Sequence, residues 1–394
     1  MIKALRNTYN ANFSQEKYNF FLENIKEDIG HEVKFRVSES PVFVDKAFKE
    51  KLLQGCEDVF RTILSPDFKE KTSGSLSYKV PNENGHSHFM QVDFGVCMNE
   101  KGELEPQLIE IQGFPSLYNF QASLAVAYRK AFSIPATFST FFNGYTTSSY
   151  IELLREVIVG NCHPKNVILL EIEPEKQGTA IDFWACEKQL GIKILCFTKL
   201  KKEGKNLFYF NEKNEKIEVK RIYNRVIFDE LEKRTDLKTE FNFSDDVNVE
   251  WVGHPNWFFR ISKYTLPFFD SPYAPKSYFL SDLKEIPSDL ENYVLKPLFS
   301  FAGMGVKINV TLADIEAIED KENYILQKKV NYHPIIETPS GPAKIEIRMM
   351  VVWKDGEDKP IVVNNICRMS KGEMVGVRYN KDKDWVGGTV CFFE

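Results

Sequence analysis

The chain has 394 residues, 43% of them hydrophobic, and a formal net charge of −5 at neutral pH. That length accommodates two or three domains with buried cores, and the acidic balance offers no basic footprint for nucleic acid. The longest apolar-rich window, residues 124–142, is interrupted by Arg129 and Lys130 and is not expected to cross a bilayer. The opening stretch MIKALRNTYNANFSQEKYNFF lacks the apolar segment of a secretory signal, and the seven cysteines stand far apart without a CxxC pair. A cytoplasmic protein with reduced, mostly buried thiols is expected.

In chain order, the pattern predicts helices near 15–28 and 45–64 and a further helical region from about 117 to 155. Between them lie two strands, SHFMQVDFGVCMN and QLIEIQGF, joined by the turn-rich NEKGELEP. The run NVILLEI at 166–172, a helix ending at QLG (189–191) and the strand IKILCF read as a β-α-β unit and a small parallel sheet. NLFYFNEKNEKIEV and RIYNRVIF follow as strands, and GHPNWFF near 255 marks a boundary. From there strands are expected at 293–296, 306–310, 323–330, 344–353, 360–369 and 374–379.

The stretch YVLKPLFSFAGMGVKINV carries the first chemical signal. Lys296 ends an apolar strand just before proline, so its ammonium must reach either water or an anion. Gly303 and Gly305 permit positive φ and a close backbone approach, which suits an ordinary hairpin or a flap over phosphates; the GK[ST] ending of a P-loop is absent. Downstream, ENYILQKKV places Gln327 in a strand of the kind that can present its backbone to an adenine edge. In KIEIRMMVVW, Lys344, Glu346 and Arg348 share one face of a strand, as a solvated row or as the lining of a cleft.

A strand ending in Lys-Pro, a glycine flap, a strand, a Gln hinge and a charged strand, in that order, resemble the ATP-grasp superfamily. FRISKYTLPFFD supplies a second lysine, Lys263, at a fitting distance before the first. The resemblance implies that Lys263 and Lys296 hold the α- and β-phosphates of ATP. It implies too that the flap with Ser300, Gly303 and Gly305 covers them, and that Gln327, Lys328 and Val330 form the adenine-binding segment.

Magnesium ligands in such a domain normally follow the adenine strand as an acid and a Glu-x-Asn pair, which the remaining residues do not contain. The early hairpin instead offers Asp93 on one strand and Glu110-x-Gln112 on its partner. Residues i and i+2 of a strand face the same side, so these three either build a cation site or decorate an exposed hairpin. The layout is similar to the circularly permuted, glutathionylspermidine synthase-like branch, where such strands bind Mg²⁺ from early in the chain. YNANFSQEKYNFFLENI, IYNRVIF and HPNWFFRISKYTLPFF are similar as well. Three departures stand out. Gln112 replaces an asparagine, Gln91 stands where that branch has an arginine contacting the transferred phosphoryl group, and IQGFPSLYN lacks the Asp-Thr-Pro-Thr character that follows the Glu-x-Asn pair.

The resemblance implies an α/β (α+β) ATP-grasp fold with an additional small α/β domain of the pre-ATP-grasp kind. It assigns residues 1–155 to a region supplying metal-binding strands, 156–255 to the small α/β domain and 256–394 to the nucleotide-binding region. The expected activity is an ATP- and Mg²⁺-dependent ligase joining a small-molecule carboxylate to an amine, with no membrane or nucleic-acid partner. Asp93, Glu110 and Gln112 would be the metal ligands, and Arg348 is the candidate that steadies the transferring group. The C-terminal RMSKGEMVGVRYNKDKDWVGGTVCFFE, with Arg368, Lys371 and Arg378, is either a pocket wall or a solvated hairpin; Arg378 is its catalytic candidate. A non-catalytic ATP-binding protein and a small-molecule kinase are the alternatives.

Overall fold

The computed structural model describes residues 1–300, 303–376 and 379–394. Two helices open the chain, α1 (Lys3–Asn12) and α2 (Gln15–Ile29). Ser14 accepts from the Lys17 N–H at the start of α2, and Gly30 ends it at φ +85°, a left-handed turn that favours glycine. The short strand β1 (Val42–Val44) leads into α3 (Lys46–Ile63), capped by Asp45, and a four-residue helix α4 (Phe68–Lys71) follows. β2 (Phe89–Met98) and β3 (Leu104–Gln112) then form the antiparallel hairpin expected from the alternating pattern. Its turn is fixed by Asn99, whose side chain accepts from the Lys101 and Glu103 N–H groups.

Helices α5 (Tyr118–Ala131) and α6 (Thr147–Ile158) lead to β4 (Val167–Glu171), α7 (Ala180–Leu190) and β5 (Lys193–Cys196). Asp182 of α7 caps α5 from outside, accepting from the Leu117, Asn119 and Phe120 N–H groups at 2.9–3.0 Å. β6 (Lys201–Glu203), β7 (Asn206–Phe210) and β8 (Lys216–Val219) make a separate antiparallel sheet. After β9 (Arg221–Asn224), α8 (Phe228–Lys233) and β10 (Glu250–Val252), the parallel sheet is complete in the order β10-β9-β4-β5.

The remaining elements are α9 (Pro255–Arg260), β11 (Ser277–Phe279), β12 (Tyr293–Pro297), α10 (Leu312–Glu316) and β13 (Tyr324–Lys328), followed by four strands. These are β14 (Lys344–Val352), β15 (Ile361–Ser370), β16 (Gly387–Thr389) and β17 (Cys391–Phe393). β11, β13 and β12 form a three-stranded antiparallel sheet with β13 in the middle.

The sheet that organises the molecule has the order β16-β15-β14-β2-β3 and is antiparallel throughout. It splices the early hairpin onto strands contributed by the last fifty residues. Val92, Phe94 and Val96 of β2 and Ile345, Ile347 and Met349 of β14 pack with Leu52, Cys56 and Phe60 of α3 on one face. The alternate residues, Gln91, Asp93, Glu346 and Arg348, therefore point to the other face. One end of that face is sealed by α5 and α6: Tyr118 packs with Met350 and Val352, and its hydroxyl lies 2.7 and 2.8 Å from the Met90 and Val351 carbonyl oxygens. β1 and β17 close the fold as a parallel pair.

Two expected strands differ. In 306–310 only Lys307 pairs, in a single bridge to Leu295, and the chain then turns away along the cavity described below. The described part of 374–379 is a turn organised by Asn380, whose side-chain oxygen accepts from the Lys371 and Gly372 N–H groups. Among the described residues no helix is long and apolar enough to cross a membrane.

Candidate functional site

Strand register places the charged residues of the site side by side. Asp93 on β2 lies opposite Arg348 on β14 and Glu110 on β3, and Glu346 on β14 lies opposite Arg368 on β15. The Asp93 carboxylate is fully buried and binds Arg348 bidentately, accepting from Nε and Nη2 at 2.6 Å each. Its Oδ2 also accepts from Arg368 Nη2 at 2.9 Å. Arg368 reaches on to Glu346 Oε1, while Glu346 Oε2 accepts from the Tyr332 hydroxyl at 2.9 Å.

Two buried lysines approach from outside this sheet. Ser262 and Thr265 cap the helical turn that begins at Lys263, whose ammonium donates to the Ser300 carbonyl and stands 3.7 Å from Glu110 Oε2. Lys296, on β12, donates to the Ile109 carbonyl at 2.9 Å and to Gln327 Oε1 at 2.5 Å, tying the three-stranded sheet to β3. Gln327 thus acts through its side chain as a lysine support. Its neighbours Lys328 and Val330 line the cavity rim.

The charges shift one another. Burial raises the Glu110 carboxyl, but Lys263, Lys296, Arg348 and Arg368 outweigh it and hold the group at about 2. Burial pushes the Lys296 ammonium down to about 8, with Glu110 opposing and Lys263 assisting. Burial also pushes the Glu346 carboxyl up, against the pull of Arg368. Three carboxylates face four cations, an excess of one positive charge before any ligand arrives.

These groups border a cavity of about 820 Å³, lined by Glu110, Lys263, Lys296, Glu346, Arg368 and the loop from Gly303 to Asn309, among others. Lys328, Lys329 and Lys344 add to its positive rim. Gly303 and Gly305 both take φ +71°, and a Cβ on Gly305 would come within 2.8 Å of Pro297 Cγ, so glycine is required where the loop folds back on β12. Across the cavity Met374 comes near Gly303, and the turn from Glu373 to Gly376 forms the opposite lip. Beyond Glu110 and Lys263 lies a smaller recess of about 40 Å³ walled by Gln112, Phe114, Phe258, Phe299 and Ser300.

Glu110 and Gln112 suit a divalent cation. The Gln112 amide donates to Glu110 Oε1 at 2.7 Å, and its own Oε1 is buried with no hydrogen-bond partner. An orphaned amide oxygen beside an ionised carboxylate is a donor set that a hard cation satisfies. Asp93 does not fit the same role: both its oxygens are engaged by guanidinium groups, so the expected third ligand is instead an arginine anchor. Among the described residues no group of three or more His, Cys, Asp and Glu side chains is arranged to hold a metal.

Arg348 is also placed differently from expectation. Its guanidinium is 9% exposed and turned into the sheet, with Nη1 donating to Gln91 Oε1 at 2.8 Å. Among the described residues, the arginine that borders the cavity is Arg368, which is 36% exposed. Sequence reasoning had Arg368 only as one of several charges in an unassigned segment. The available signal was a cation inside the apolar strand NNICRMS, on the same alternation as Asn364 and Ile366. Arg378, like Phe301 and Ala302 of the flap, lies outside the described residues.

No protein-family model and no curated protein matches the sequence. Among solved structures, the chain is similar over 97% of its length to 97% of a glutathione synthetase-like effector, GSS30, from Globodera pallida in its apo form. The TM-score is 0.59 at 11% identity. A provisionally named gamma-glutamylcysteine synthetase from Methylobacillus flagellatus KT aligns over 85% of both chains at 12% identity, but its TM-score of 0.37 is too low to support any conclusion. The full-length match shows the fold: this chain is a mixed α/β protein that shares the overall fold of that effector.

Proposed function

We propose that the protein is an ATP-dependent ligase that joins a carboxylate to an amine through an acyl phosphate, as the glutathionylspermidine synthase-like resemblance implies. The observation that supports this most is the meeting of Lys263, Lys296, Glu110 and Arg368 on one cavity of nucleotide size, assembled from both ends of the chain. The synthetase-like name of the fold neighbour points the same way.

In this reading Lys263 and Lys296 bind the phosphates, the loop carrying Gly303 and Gly305 covers them, and Lys328 to Val330 hold the base. Glu110 and Gln112 would hold Mg²⁺, which when bound supplies positive charge to the phosphate oxygens. A carboxylate oxygen of the substrate attacks the γ-phosphorus, the bond to the bridging oxygen breaks and ADP leaves. The amine nitrogen then attacks the acyl carbon, phosphate departs with the C–O bonding pair, and the nitrogen loses a proton. Arg368 faces the cavity and would steady negative charge on the transferring group. The protein's part is position and electrostatics, and no side chain is required as a covalent nucleophile.

Calorimetric titration with β,γ-methylene-ATP and Mg²⁺ tests the nucleotide site. Turnover of ATP with candidate carboxylates in the presence of hydroxylamine tests the chemistry, because an acyl phosphate is trapped as a hydroxamate. A stable phosphoester would identify a kinase. Binding without turnover would identify a non-catalytic nucleotide-binding protein.

A further inference from the structure

We infer that Arg348 is a built-in cation occupying the place beside Asp93 that a metal ion would otherwise take, so that the site holds a single divalent ion per nucleotide, on Glu110 and Gln112. This rests on the nucleotide-site reading above.

Geometry carries the inference. One guanidinium nitrogen, Arg348 Nη2, is 2.6 Å from Asp93 Oδ2 and 4.0 Å from Glu110 Oε1, and so bridges the two carboxylates that converge from β2 and β3. Nε closes the second arm of the fork on Asp93 Oδ1. Arg368, on β15, also donates to Asp93 Oδ2 at 2.9 Å. A cation coordinating Asp93 would have to displace two guanidinium groups from short, buried contacts and then sit among them, which is unfavourable in a water-poor site.

The sequence departure at Gln91 belongs to the same arrangement. Gln91 Nε2 donates to the Ser116 carbonyl at 2.7 Å, which orients the amide so that Oε1 accepts from Arg348 Nη1. An arginine at position 91 would set a second cation against the Arg348 guanidinium. A neutral acceptor at 91 and a cation at 348 therefore complement each other across the β2–β14 pair. Arg348 is a positioning residue in this scheme: it fixes Asp93 and, through it, Arg368 at the cavity wall.

The test counts ions rather than turnover. Protein saturated with β,γ-methylene-ATP is titrated with Mn²⁺, and bound Mn²⁺ is read from the loss of the free-ion electron paramagnetic resonance signal. One bound ion per chain is expected for the wild type, and two would overturn the inference without needing any variant. Arg348→Met removes the bidentate guanidinium, leaving Asp93 held only by Arg368 on Oδ2, and is expected to gain a second ion; a count that stays at one would also overturn the inference. If Arg348→Met does not fold, Gln112→Leu replaces it: the wild-type ion should then be lost or bound at least tenfold more weakly, and an unchanged ion would refute the assignment to Gln112. Equilibrium dialysis of the nucleotide analogue runs alongside. If no analogue binds, the nucleotide reading itself fails and this inference falls with it, a result distinct from binding with the wrong ion count.

Discussion

Asp93→Asn is the sharpest perturbation of this site, because the side chain keeps its shape and loses only its charge. Asp93 is fully buried and makes three charge-assisted contacts, two at 2.6 Å with Arg348 and one at 2.9 Å with Arg368. An asparagine retains one acceptor oxygen, but its amide nitrogen is forced against a guanidinium donor. Arg348, itself only 9% exposed, is left with the more distant Glu110, 4.0 Å away, as its counter-charge. Breaking a buried pair in this way typically costs about 3–5 kcal/mol. That is a large share of the roughly 5–15 kcal/mol that holds a folded domain together. The assay is urea unfolding followed by tryptophan fluorescence, for wild type, Asp93→Asn, Arg348→Met and the double variant. Removing both partners takes away the charge together with its counter-charge, so the double variant should recover most of the loss, giving a coupling of about 3 kcal/mol in the cycle. A single Asp93→Asn variant within about 1 kcal/mol of wild type would refute the reasoning, as would a double variant no more stable than the single.

Gly113→Ala should disturb the site from outside it. The Gly113 N–H donates to the Ile261 carbonyl at 2.6 Å, and a Cβ there would strike the Trp257 carbonyl and come within 2.8 Å of Ile261 Cβ. Overpacking of this kind costs about 1–3 kcal/mol, and it should separate Gln112 from the Lys263 turn, lowering both melting temperature and nucleotide affinity. Lys296→Met should weaken binding of β,γ-methylene-ATP by roughly 10- to 100-fold in calorimetry, the worth of one charge-assisted bond, and an unchanged affinity would remove Lys296 from the phosphate site. Glu171 gives a pH signature: burial raises its carboxyl to about 8, against the opposing pull of Arg225. Between the unfolded value near 4.5 and about 8 the native state keeps a proton that the unfolded chain has lost, so stability falls as pH rises through that window. Glu171→Gln mimics the neutral acid and should melt several degrees above wild type at pH 8.5 but level with it at pH 4; lower stability at both would mean that Glu171 is an ionised partner of Arg225.

The parts of the site that were legible in the sequence are those made by short-range pairing. Asp93 and Glu110 sit on two strands joined by the Asn99 turn, so their closeness along the hairpin is legible, but they share a face only through a register shift beside Asp93 that alternation does not show. Lys296 and the two glycines announce themselves by being expensive where they stand, a cation in an apolar strand and a loop with two positive φ angles. What alternation cannot show is which strand lies next to the hairpin. Arg348 reaches Asp93 across 255 residues, and nothing in either segment names the other. Lys344, Glu346 and Arg348 share one face by alternation, yet whether that face meets water or a second row of charges depends entirely on the β14–β2 pairing. The parallel pairing of β1 with β17, three residues each, was beyond any pattern of so short a length.

That long-range pairing is also what changes the chemistry. Read along the chain, Asp93, Glu110 and Gln112 make a plausible trio of ligands, and Arg348 is a free cation waiting for a phosphoryl group. Once β14 is laid against β2, the same four residues divide differently. Asp93 and Arg348 satisfy each other, the neutral Gln91 becomes necessary to them, and only Gln112 is left with a buried oxygen that has no donor. The unpaired Gln112 oxygen beside the ionised Glu110 is what separates this pair from the other acidic residues of the row, whose carboxylates are engaged by guanidinium groups. The charge excess follows from the same pairing: with Arg348 and Arg368 bound to Asp93 and Glu346, the positive charge left over belongs to Lys263 and Lys296, which face the cavity where a polyanion would lie.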